Sequence, residues 1–128
     1  MWLTAGQFSV FSWNILAPQF APPSKYPWAS NDALDWRHRQ PRIVRQIKDA
    51  GADIVCLQEV EVDRWDGLHA ALQREGYRGV LQEVKRDHPM TNAVLLKDGR
   101  LEFCETESRS RALITVLRAC DGLSLIHI

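Results

Sequence analysis

The seven residues Ile54 to Val60, Ile-Val-Cys-Leu-Gln-Glu-Val, constrain this chain more than any other stretch. Four apolar residues in succession, entered through Gly51-Ala52-Asp53, predict a short strand buried on both faces. Gln58 and Glu59 then fall where such a strand leaves its sheet. Ligands of α/β sheets bind at the carboxyl ends of strands, where loops vary over a rigid base. A carboxylate fixed there suits a hard cation such as Mg²⁺, which takes oxygen ligands and keeps several of its waters. Glu59 also has a plainer use, as the cap of the next helix or as a solvated side chain. The heptapeptide alone leaves both open.

The rest of the chain arranges itself around that strand. Phe8 to Leu16 alternates large apolar with smaller polar residues, the pattern of a sheet strand. Pro18, Pro22 and Pro23 end it, and residues 17–34 read as a long irregular loop in which Tyr26 and Trp28 favour packing. Asp35 is placed to cap a helix from Trp36 to Ala50. Its apolar stripe is Ile43, Val44 and Ile47, and basic residues cover the remainder. Pro41 either begins the regular part of that helix or kinks it, and Gly51 stops it.

A second helix follows the central strand, with Asp63 as its expected cap and Trp65, Leu68 and Leu72 on one face. Strands are predicted at Tyr77 to Val84, Thr91 to Leu96, Leu101 to Cys104 and Leu113 to Leu117, and Asp98-Gly99 is a hairpin signal between the second and third. One helix between the first two strands predicts a parallel crossover, and the later strands predict antiparallel additions to the same sheet. The expected fold is therefore α/β, a mixed sheet with helices on one face. The other face would be left bare, a large apolar patch.

Length and composition bound the function. The 128 residues suffice for one domain, and 16 basic residues balance 16 acidic ones, so no global basic field draws the chain to nucleic acid. Three widely spaced cysteines, Cys56, Cys104 and Cys120, form neither a disulfide framework nor a zinc site and suit a reducing compartment. No apolar run reaches the roughly 18 residues of a membrane span, and the start lacks signal-peptide features. An intracellular protein, cytoplasmic or nuclear, is expected. Oligomeric state is not written in the sequence.

Three motifs in order then carry a resemblance. Ser12-Trp13-Asn14-Ile15-Leu16-Ala17, Ala33-Leu34-Asp35-Trp36-Arg37-His38-Arg39 and Ala52-Asp53-Ile54-Val55-Cys56-Leu57-Gln58-Glu59-Val60 resemble the endonuclease/exonuclease/phosphatase superfamily. Within it they are most similar to the carbon-catabolite-repressor-4, nocturnin and Angel group of deadenylase-like proteins. Thr91 to Leu96 and Ser110 to Leu113 are similar to the next two strands of that family. The resemblance implies a two-sheet, four-layer α/β sandwich, of which residues 1–128 would form the N-terminal half, with 1–7 and 121–128 irregular. It implies hydrolysis of phosphoester bonds with Mg²⁺ or Mn²⁺ as cofactor. Matched by position, Glu59 is the metal carboxylate, Asn14 the amide near metal and scissile phosphate, and Gln58 a brace for both.

His88, Asn92 and Arg111 are the candidates for substrate contact, although a charge run such as Lys85-Arg86-Asp87-His88 also serves simply as a solvated connection. The family's later Asp-x-Asn, Thr-His and Asp-His motifs have no counterpart here. The expectation is thus the N-terminal fragment of a metal-dependent 3′-exoribonuclease acting on poly(A), inactive alone and missing the C-terminal half as its partner. A phosphatase of a nucleotide or inositol phosphate, or a non-catalytic binding piece, remains the alternative.

Overall fold

Strand β1 (Val10–Asn14) lies parallel to β2 (Ile54–Glu61), in a register that sets Val10 beside Ile54 and Asn14 beside Gln58. The computed structural model describes residues 6–85, 87–120 and 125–127. Between the two strands the chain crosses over through a short helix α1 (Asn31–Leu34) and a long one, α2 (Trp36–Ala50). The Asp35 carboxylate caps α2 by accepting from the Arg37 amide. At the other end Gly51, with φ 60, donates its amide to the carbonyls of Ile47 and Lys48 and closes the helix. The helix runs unbroken through Pro41, so it starts at Trp36. Pro41 lacks the amide that would donate to the Arg37 carbonyl, and the Asp35 cap holds the first turn.

The first sheet has the order β1-β2-β4-β3, with β4 (Met90–Lys97) antiparallel to both β2 and β3 (Tyr77–Leu81). On one face lie α2 and α3 (Trp65–Gln73). Their Ile43, Ile47, Leu68 and Leu72 pack with Val55, Leu57, Ala93 and Leu95 of the sheet. Successive strand residues point to opposite faces, so Ile54, Cys56, Val94 and Leu96 look the other way. They meet a second sheet, the antiparallel succession β5 (Leu101–Ser108), β6 (Leu113–Ala119) and β7 (Leu125–His127). Leu101, Leu117 and Ala119 are its buried contribution. The fold is mixed α/β with helices on one face of the central sheet, as the sequence predicts.

Several expectations are corrected. The second face of the central sheet is not bare, because β5 and β6 lie across it. Asp98-Gly99 does not close a hairpin; β4 and β5 belong to different sheets, and the turn carries the chain from one to the other. A dipeptide turn signal is local, whereas burying Leu101 and Phe103 against the open face is a gain of the whole fold. Residues 125–127, expected to be irregular, pair with β6 from Val116 to Arg118. Residues 1–5, 121–124 and 128 lie outside the described set, and Gly6 is in a turn.

Strand β3 ends at Leu81 rather than Val84, where Gln82 turns inward and is buried. Asp63 does not cap α3; it lies in a 3-10 turn, Val62–Arg64, that leads into the helix. The long loop is built of hydrogen-bonded turns, with Lys25 and Tyr26 amides donating to the Pro22 and Pro23 carbonyls. Trp36 packs against the core, but Trp28, expected to pack, is 79% exposed and held edge-on by Tyr26. Among the described residues no helix is long and apolar enough to cross a membrane.

Candidate active site at the ends of the first two strands

The parallel register delivers Asn14 and Glu59 to the same edge of the sheet. Glu59 sits in the bulge between Leu57 and Val60, where two residues are left without a partner on β4. Its φ of 55 is left-handed, and so is that of Leu16, just past β1. Such a backbone costs a non-glycine residue about 1–3 kcal/mol, so neighbouring contacts must hold both in place. Two hydrogen bonds join the two turns, and a third braces the first of them. Asn14 Nδ2 donates to Glu59 Oε1 at 2.9 Å, the Leu16 amide donates to Asn14 Oδ1 at 3.0 Å, and the Ile15 amide donates to the Gln58 carbonyl at 3.0 Å. The Asn14 amide is therefore fixed in orientation, with its nitrogen facing the carboxylate.

Gln58 contributes differently from its neighbours. Its side chain donates to Ser12 Oγ and to the Cys56 carbonyl, both at 3.2 Å, so it ties β1 to β2 behind the pair. Its carbonyl is the group that reaches the Asn14–Leu16 turn.

Beside this pair opens a cleft of about 230 Å³. Gln58, Glu59, His88, Asn92 and Arg111 all line it, so five of the six sequence candidates share one cavity and the sixth, Asn14, is bonded to its rim. His88 and Arg111 are exposed and have no ion pair among the described residues, whereas Arg109 is engaged by Glu107 at 2.7 Å. Asn92 is not free to face a substrate. Its Nδ2 donates to Gln82 Oε1 at 2.8 Å and to the Arg111 carbonyl at 3.4 Å.

Gln82 is the residue the sequence does not reveal. Only 2% exposed, it accepts from Thr91 Oγ1 at 3.1 Å and from Asn92, and it donates to the Arg109 carbonyl. The amide of Glu83 adds a bond to Ser108 Oγ at 2.9 Å. This network holds the turn from Ser108 to Leu113 against the first sheet and so places Arg111 at the cleft. Arg39, read from sequence among the basic residues that cover the outside of α2, also turns inward, onto the Ile15 and Leu16 carbonyls. A glutamine at a strand end and an arginine in a basic helix carry no local mark of such roles.

The donor set suits a hard cation. Glu59 Oε2 is buried and has no hydrogen-bond partner among the described residues. An unmatched buried carboxylate oxygen is costly, and a cation is the natural complement. Among the described residues no three His, Cys, Asp or Glu side chains cluster, so this is not a closed protein cage. Mg²⁺ does not need one, since one or two carboxylates, waters and substrate phosphate commonly complete its shell.

Comparison with known proteins adds the kinship. The model of the Endonuclease/Exonuclease/phosphatase family matches residues 11–111. The "CCR4-Not complex 3'-5'-exoribonuclease subunit Ccr4" of Neurospora crassa is 36% identical over 75 residues, 58% of this chain and 10% of that protein. Its namesake in Candida glabrata is 34% identical over 125 residues, 94% of this chain and 14% of that protein. The chain thus spans a small part of the length of the curated relatives it matches. The crystal structure of ANGEL2, described as a 2',3'-cyclic phosphatase, shares the fold with a TM-score of 0.77 at 24% identity, over 94% of this chain and 39% of that one.

Proposed function

The chain belongs to the endonuclease/exonuclease/phosphatase family, and from that premise we propose that it supplies the metal- and phosphate-facing part of a Mg²⁺- or Mn²⁺-dependent phosphoesterase, a 3′-exoribonuclease acting on poly(A). The observation that carries the reading is the buried, unpartnered Glu59 Oε2 beside a cleft that also holds His88 and Arg111. Glu59 would hold the cation, with Asn14 fixing the carboxylate's orientation through its Nδ2. Such a cation neutralises charge that develops on phosphate oxygens and can assist the leaving oxygen. Arg111 brings positive charge and His88 a ring N–H donor to the phosphodiester, and the Gln82–Asn92 network keeps Arg111 in reach. The choice of RNA over a small phosphoester rests on the two exoribonuclease relatives.

Two measurements test this. Mn²⁺ titrated into the chain and followed by electron paramagnetic resonance should bind at one site, and Glu59→Gln should abolish that binding. Unchanged binding in the variant would remove Glu59 from the metal site. In the whole protein that contains this chain, Glu59→Gln should slow shortening of a 5′-labelled oligo(A) by at least about a hundredfold, the scale of losing one transition-state contact. The chain alone should bind the ion without shortening RNA. Hydrolysis of adenosine 2′,3′-cyclic phosphate with oligo(A) left intact would overturn the exoribonuclease assignment.

A further inference from the structure

Helix α2 carries Arg37, Arg39, Arg42, Arg45 and Lys48, and all but Arg39 are exposed. Arg39 lies half-buried over the Trp36 ring, its guanidinium carbon 5.7 Å from the ring centroid. No carboxylate pairs with it among the described residues, and burial pushes its pKa down from the ordinary arginine value. Its Nη1 is buried without a partner. A buried cation with no counterion is unfavourable unless dipoles face it. Here two do. Arg39 Nη2 donates to the Ile15 carbonyl at 2.6 Å and to the Leu16 carbonyl at 2.7 Å.

In a regular strand consecutive carbonyls point to opposite sides. These two converge on one nitrogen where Leu16 adopts its left-handed φ of 55. Two parallel carbonyl dipoles repel each other, and a leucine resists that backbone. Arg39 offsets both. The peptide it holds is the one whose amide donates to Asn14 Oδ1. That bond decides which end of the Asn14 side chain faces Glu59 Oε1. Were the Leu16 turn to relax, the amide could rotate and set oxygen against oxygen.

We propose that Arg39 is a positioning residue for the Asn14–Glu59 pair, acting through the carbonyls of Ile15 and Leu16. The metal arm of this proposal rests on the function given above; the conformational arm does not. The test uses the whole 128-residue chain with Arg39→Met, which keeps the apolar stem over Trp36, and Arg39→Lys, which restores a cation. Amide hydrogen exchange should rise at Leu16 and the Asn14 side-chain NH₂ resonances should move in Arg39→Met. Exchange at Val55 and Leu95, in the core strands, should stay as in the parent. Mn²⁺ affinity should fall about 10–100-fold, the usual loss when a group orienting a metal ligand is removed. Arg39→Lys should recover part of both signals.

If Leu16 exchange and the Asn14 resonances do not respond in Arg39→Met, the proposal is overturned. Should that variant fail to fold, Arg39→Lys is read by the same signals, and parent-like Leu16 exchange together with parent-like Mn²⁺ affinity would support a cation clamp. Arg39→Lys with disturbed Leu16 but unchanged Mn²⁺ affinity would overturn the link to Glu59. If the parent chain binds no Mn²⁺ while Leu16 and Asn14 still answer to Arg39, the function assignment fails and the positioning role stands.

Discussion

Gln82 and Glu59 show how differently two polar residues at strand ends can be announced by a sequence. Glu59 follows an unbroken apolar run, so its place at a strand end is visible from neighbours alone. Gln82 is defined by partners on other segments: Thr91 and Asn92 on β4 and the carbonyl of Arg109 in the turn after β5. Replacing it with leucine would take the side-chain donor from the Arg109 carbonyl and one of two acceptors each from the Thr91 hydroxyl and the Asn92 amide. Gln82→Leu should therefore destabilise the fold by about 1–3 kcal/mol, read as a lower urea midpoint at unchanged slope. It should also loosen the turn carrying Arg111. Asn14 and Glu59 were legible because strand ends and motif order mark them. Gln82 and Arg39 were not, because what defines them is a contact made only after the sheets pack. Trp28 marks the opposite limit: its ring suggests burial, yet its neighbours Pro27 and Ala29 offer it only the edge of Tyr26.

Elements were legible where a cap or a periodicity fixes them. Helix α2 begins and ends where Asp35 and Gly51 say, and β2 begins where its apolar run begins. Helix α3 is legible from Trp65, Leu68 and Leu72, but one of its links to the sheet is a histidine, His69, that no local pattern marks. His69 stacks on Trp65, with ring centroids 4.7 Å apart, and its Nε2 accepts the Gly79 amide of β3 at 3.0 Å. An accepting nitrogen carries no proton. Burial holds the His69 pKa below the ordinary value of 6.5, against the opposing pull of Asp66. A histidine whose folded pKa is depressed contributes stability that is fully present above the unfolded value. That contribution is lost as pH falls through the folded value. The urea midpoint should accordingly drop as pH is lowered from above 6.5, and His69→Leu should lack that portion of the drop. A parallel pH profile in the two proteins would remove His69 from the link between α3 and β3.

At the scale of the whole molecule the two sheets are tied at both ends of their strands, and the ties do different work. At the cleft end the tie is the Gln82–Asn92 network on the turn after β5. At the opposite end, Asp53 precedes β2 with its side chain only 6% exposed. It accepts from the Ser9 amide at 2.9 Å and from Arg100 Nη1 at 2.9 Å, and Arg100 Nη2 continues to the Gln7 carbonyl. Arg100 lies in the turn that leaves the first sheet for the second, which the sequence read as an ordinary hairpin. The error was one of range: an Asp-Gly pair specifies a tight turn, and only the bare face of β2 and β4 specifies where the next strand must go. Arg100→Met removes a charge-assisted bond from a buried carboxylate that keeps its bonds to Ser9. It should lower stability by about 1.5–3 kcal/mol. Because Arg100 stands at the far end of β2 from Glu59, Mn²⁺ binding should be unchanged, whereas Gln82→Leu should disturb both stability and the turn that carries Arg111. Equal stability losses with unequal effects on the cleft would mark one end of the sandwich as anchor and the other as site. An Arg100→Met protein that is destabilised and also loses Mn²⁺ affinity would mean that the two ends are coupled through β2.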